Sequence, residues 1–94
     1  MRLHFYGILN SLESCFTYQE FEIDGKVMLL QNSPRFGYEP ATMVINNPAM
    51  FIPKGDEFYR FVIEDFCVDV KDGILQIEDS LLRDILGELD NYFG

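Results

Sequence analysis

Two Asp-Gly pairs constrain this chain more than any other feature. Asp24-Gly25 and Asp72-Gly73 each interrupt a run of apolar and polar residues, and Asp-Gly is a favoured pair for the two-residue type I′ turn, whose central residues both take positive φ. Such a turn fixes the register of the strands beside it. In "YQEFEIDGKVMLLQ" it sets Ile23 opposite Lys26 and Phe21 opposite Met28, so that Phe21, Ile23, Met28 and Leu30 share one face. Tyr18, Glu20, Glu22, Val27 and Leu29 fall on the other. The first face is the expected core.

The second pair acts the same way. Val70 comes to face Leu75 and Val68 to face Ile77, and Phe66, Val68, Val70, Leu75 and Ile77 line one face without a polar exception. Cys67, Asp69, Lys71, Ile74, Gln76 and Glu78 occupy the other. Just upstream, "EFYRFVIE" is apolar on both faces, as a strand covered on both sides would be.

From Asp79 the period changes. Leu81, Leu82, Ile85, Leu86, Leu89, Tyr92 and Phe93 fill an arc of about 140° at helical spacing, and Asp79 or Ser80 can serve as N-cap. A C-terminal helix lying on the sheet is expected.

Two segments are less determinate. Residues 3–16 place Phe5, Ile8, Leu9, Leu12, Cys15 and Phe16 at helical spacing, yet "HFYGIL" is rich in strand formers. Helix and strand both remain open there. Residues 34–53 hold all four prolines, and proline cannot donate to a central ladder, so loops and edges with one short strand over 41–45 are expected. Phe36, Tyr38, Met50 and Phe51 in this segment read either as lids folded over the core edge or as exposed anchors for a partner.

These elements predict one α+β domain over residues 1–94: a small antiparallel sheet of about four to six strands with Asp-Gly hairpins, packed by the C-terminal helix and, on the helical reading of 3–16, by a second N-terminal helix. With 48% hydrophobic and 15% aromatic residues, the chain is too apolar to be disordered. No run approaches the ~18 apolar residues of a membrane span, and the N-terminus lacks the pattern of a secretory signal. Cytoplasmic location follows as the expectation, with Cys15 and Cys67 as buried free thiols.

Charge bears most on function. Sixteen acids against seven bases give −9, and eleven of the acids lie between Asp56 and Asp90. Direct contact with nucleic acid or anionic membrane is disfavoured, because phosphate recognition needs clustered Lys and Arg. A basic protein partner would instead be drawn in. On the helix, Asp84 and Glu88 stand one turn apart and repel each other, while Asp90 near the C-terminus opposes the helix dipole. Folding alone does not ask for these placements.

Catalytic chemistry finds few candidates. His4 is the only histidine and is expected to have no fixed partner; Cys15 or Cys67 would need that same residue as base, which makes both poor nucleophiles. No spacing suits zinc. The run Asp69, Asp72-Gly73, Asp79 has acids at calcium-loop intervals, but registering Gly73 on the turn position puts Val68 and Val70 where two ligands belong. Neither a metal nor a cofactor is expected, and no enzyme activity.

The functional expectation is an acidic, stoichiometric inhibitor of a basic nucleic-acid-handling protein such as a nuclease, a toxin or a defence complex. Toxin-immunity proteins and phage anti-defence proteins, including nucleic-acid mimics, share its size and charge. Asp69, Glu78, Asp84, Glu88 and Asp90 are the expected contacts, with Phe36 or Tyr38 as apolar anchors. A plain solvated acidic surface competes with this reading. So does an assembly or accessory module, a homodimer for example, that uses the Pro/aromatic-rich segment 34–53.

Overall fold

The computed structural model describes residues 1–33 and 41–93. Phe36 and Tyr38 lie outside them. Among the described residues, eight strands and one helix follow in order: β1 Arg2–Leu9, β2 Thr17–Ile23, β3 Lys26–Ser33, β4 Thr42–Asn46, β5 Ala49–Lys54, β6 Glu57–Glu64, β7 Cys67–Lys71, β8 Ile74–Gln76 and α1 Asp79–Phe93. The fold is α+β, with an antiparallel five-stranded sheet ordered β1-β6-β5-β3-β2 and an antiparallel three-stranded sheet ordered β4-β7-β8.

Both Asp-Gly hairpins form in the expected register. Ile23 pairs with Lys26 and Phe21 with Met28, and Val70 pairs with Leu75. Each turn carries positive φ at both residues, 52° and 79° at Asp24-Gly25 and 51° and 78° at Asp72-Gly73. A third two-residue turn, Gly55-Asp56, joins β5 to β6.

The two sheets are continuous at one corner. β5 and β6 pair from Lys54↔Glu57 to Ala49↔Val62, and β4 and β7 carry the same two chains onward from Asn46↔Cys67 to Thr42↔Lys71. One long antiparallel ribbon is thus folded over on itself, which is how strands that switch sheets make a corner. The fold line runs through Asn47-Pro48 and Asp65-Phe66. Asn47 and Asp65 hold φ of 50° and 58°, and Asn47 N–H donates to the Phe66 carbonyl at 2.8 Å. Asn47 Oδ1 accepts from Asp65 N–H at 3.1 Å.

Folding the ribbon over buries one core. Leu3, Ile23, Met28, Leu30, Met50, Phe61 and Ile63 come from the larger sheet, Val68, Val70 and Leu75 from the smaller, and Leu82, Ile85 and Leu89 from α1. Side chains close the gap between the layers beside β8. Leu75 N–H donates to Gln19 Oε1 at 2.9 Å, and Asn32 Nδ2 donates to the Gly73 carbonyl at 2.8 Å.

The helix crosses the strands of the larger sheet. Arg83 pairs with Asp24 at 2.9 Å, Lys26 with Asp90 at 3.6 Å, and the Tyr92 hydroxyl donates to the Leu3 carbonyl at 2.6 Å on the far edge strand. Its first helical bond runs from Leu82 N–H to the Glu78 carbonyl at 3.1 Å. The N-cap is therefore Glu78, one residue before the expected Asp79 or Ser80, and Asp79 sits in the first turn where a negative charge suits the helix dipole.

Residues 2–9 are strand, one of the two readings open for this segment, because β6 pairs with it along its whole length, from Arg2↔Glu64 to Leu9↔Phe58. Two expectations are corrected. Residues 49–54 form β5, an interior strand, where loops and edges were expected. Pro53 is accommodated because the β3–β5 ladder consists of Leu29↔Phe51 and Leu30↔Met50 and stops short of it. Cys15 and Cys67 are free but exposed, not buried.

Candidate partner-binding surface

The outward face of the smaller sheet follows from its register. Val44, Asp69 and Gln76 form one cross-strand row, with Thr42, Lys71 and Ile74 in the next. Where β7 meets the start of α1, Cys67, Asp69, Gln76, Glu78 and Leu81 rim a shallow groove of about 260 Å³ floored by Phe66 and Ile77. Two of the expected contact residues, Asp69 and Glu78, are thereby brought to one place.

The helix extends this surface. Leu81 and Glu88 are seven residues apart, so they project within about 20° of one another, and Asp84 lies about 60° from Leu81 on the same flank. Asp69, Glu78 and Asp84 are exposed and Glu88 half-buried. Among the described residues, no Lys, Arg or His nitrogen comes within 4.0 Å of any of the four carboxylates. Lys71 shares the outward face of β7 two residues from Asp69 without reaching it.

Asp90 does not join them. It projects to the opposite flank of α1 and pairs with Lys26, so its place is explained by attachment of the helix to the β2–β3 turn, and the expectation that folding makes no use of it is corrected. Met50 and Phe51, the other candidate anchors of the proline-rich segment, are buried on opposite faces of β5. Phe51 packs edge-on against Tyr18 with ring centroids 5.4 Å apart.

His4, expected to lack a partner, lies with Nδ1 3.5 Å from Glu64 Oε1, and Glu64 also accepts from Arg2 at 2.8 Å. Among the described residues, no group of three or more His, Cys, Asp or Glu converges as a metal site. No helix among them is long and apolar enough to cross a membrane.

Sequence reasoning missed Leu81, Phe66 and Gln76 as parts of the groove. Their signal was present, since Leu81 stands at the edge of the helical stripe nearest Asp84 and Glu88. The fold and surface define a small two-sheet α+β protein with an acidic groove whose carboxylates have no ion-pair partner among the described residues. Comparison with known proteins finds no matching family model, and neither a curated protein nor a solved structure matches it.

Proposed function

We propose that this protein is a non-enzymatic binding protein whose acidic groove covers a basic, nucleic-acid-handling site on a protein partner, in the manner of immunity or anti-defence inhibitors. The observation that carries this reading is the gathering of Asp69, Glu78, Asp84 and Glu88 along one groove and one helix flank with no cation among the described residues paired to them. Desolvated against Arg or Lys of a partner, such carboxylates form charge-assisted hydrogen bonds. Their field also raises the association rate. Leu81 and Phe66 supply an apolar strip between the charges. Two exposed free thiols suit a reducing cytosol.

The test begins with capture of basic proteins from extract of the native host, followed by kinetics with the purified partner. Asp84→Lys with Glu88→Lys, and separately Asp69→Lys with Glu78→Lys, should each slow association at low salt and weaken binding. Rising NaCl should slow the wild type more than either variant. Association rates and affinities unchanged in both variants would overturn the reading.

A further inference from the structure

β3 and β5 are neighbours in the larger sheet, yet their pairing consists of Leu29↔Phe51 and Leu30↔Met50 alone. Continuing that register would set Val27 against Pro53, which has no N–H to donate, so the ladder ends there. Beyond it the β2–β3 and β5–β6 hairpin tips enclose a cleft of about 580 Å³. Val27, Met28 and Ile52 wall it, and Leu86, Leu89 and Phe93 of α1 floor it. This volume falls within the range of small-molecule sites, which are mostly apolar with a few placed polar groups.

The charged groups here are two lysines, one on each tip, and the carboxylates of Glu20 and Asp90. The Lys26 ammonium is engaged by Asp90 at 3.6 Å. The Lys54 ammonium lies 4.2 Å from the Phe93 ring centroid and, among the described residues, has no carboxylate within 4.0 Å. Glu20 also borders the cleft, on the outward face of β2 opposite Leu29. It repels an anion from that mouth and leaves the Lys54 side for one. Nothing in the acidic groove uses these residues, which lie on the other flank of α1.

We propose that this cleft binds a small amphipathic anion, an apolar chain ending in a carboxylate, with its chain on Leu86, Val27 and Ile52 and its head group at Lys54. The apolar walls bury the chain, and the carboxylate replaces water at a cation that has no carboxylate partner among the described residues. A cationic head group at that end would instead meet the Lys54 ammonium, while Asp90 is already engaged by Lys26.

Calorimetric titration with dodecanoate, dodecanol and dodecyltrimethylammonium, together with backbone NMR shifts, tests this. Dodecanoate should bind one to one below its micellar concentration, with shifts at Lys54, Leu86 and Phe93. Lys54→Glu should weaken dodecanoate about tenfold or more while leaving dodecanol unchanged. Leu86→Trp, which fills the cleft, should abolish binding of both, and Val27→Trp from the opposite wall replaces it if that variant fails to fold. Reversing Asp84 and Glu88 should leave dodecanoate binding unchanged, which separates this site from the groove. Equal affinity for alcohol and carboxylate, tighter binding of the cation, shifts confined to another surface, or no saturable binding would each overturn the proposal.

Discussion

The Asn47 side chain accepts a hydrogen bond from the Asp65 backbone N–H at 3.1 Å across the line where the β-ribbon folds. Both residues hold positive φ, and Asn and Asp tolerate that conformation better than other residues with side chains. The bond therefore joins the two bends that turn one ribbon into two layers. Asn47→Gly should keep the bend and lose the side-chain bond, costing about 0.5 to 1.5 kcal/mol. Asn47→Ala should cost a further 1 kcal/mol or so from left-handed strain. Urea unfolding of the two variants checks the order, and an alanine variant as stable as the glycine one would contradict the strained bend.

The Asp-Gly turns should respond to substitution through backbone conformation alone. A Cβ added at Gly25 or Gly73 meets no atom within 4 Å, while φ at these positions is 79° and 78°. Gly25→Ala and Gly73→Ala should each lose roughly 1 to 2 kcal/mol. Thermal or urea melts measure this directly, and losses within error at both sites would count against the type I′ geometry.

The helix should depend on its buried stripe far more than on its ion pairs. Leu82 and Ile85 are buried in the core, so Leu82→Ala or Ile85→Ala should cost about 2 to 5 kcal/mol. Arg83–Asp24 and Lys26–Asp90 join exposed side chains, and removing either pair should change stability by less than about 1 kcal/mol. Chemical denaturation of single variants compares them. A larger loss from Arg83→Ala than from Ile85→Ala would reverse the ranking.

Alkaline pH should destabilise the fold through Tyr18. Burial holds its phenol above the ordinary value of 10.0, and the nearby Glu13 carboxylate also raises it. The folded state therefore keeps the proton more tightly than the unfolded state. That stabilisation is complete below pH 10 and is lost as pH rises through the folded value. Tyr18→Phe gives up the hydroxyl bond to the Glu13 carbonyl, so it should be less stable near neutrality but decline less above pH 10. Melting temperature against pH for both proteins reads this, and parallel declines would exclude Tyr18 as the source.

Moderate salt should stabilise the free protein. A charge of −9 repels itself, and screening this repulsion outweighs the weakening of a few exposed ion pairs. The melting temperature should rise between low and moderate NaCl. A steady fall would show that the ion pairs dominate.

The sequence determined what local chemistry can determine. Asp24-Gly25 and Asp72-Gly73 fixed two turns, each turn fixed a register, and each register set which of Phe21, Ile23, Met28, Leu30, Val68, Val70 and Leu75 face inward. The change to helical spacing after Glu78 placed the helix and the shared flank of Asp84 and Glu88. Tertiary structure decided the rest, because it depends on partners distant in the chain. Residues 2–9 became strand because β6 lies beside them, Pro53 sits in an interior strand because the β3–β5 ladder ends at Leu29↔Phe51 and asks for no N–H from it, and Asp90 found Lys26 only once the helix crossed the sheet. The groove exists because Asn47 and Asp65, eighteen residues apart, bend the same ribbon at the same line. A periodic pattern records which side of an element is buried, whereas the element that buries it is chosen by long-range pairing.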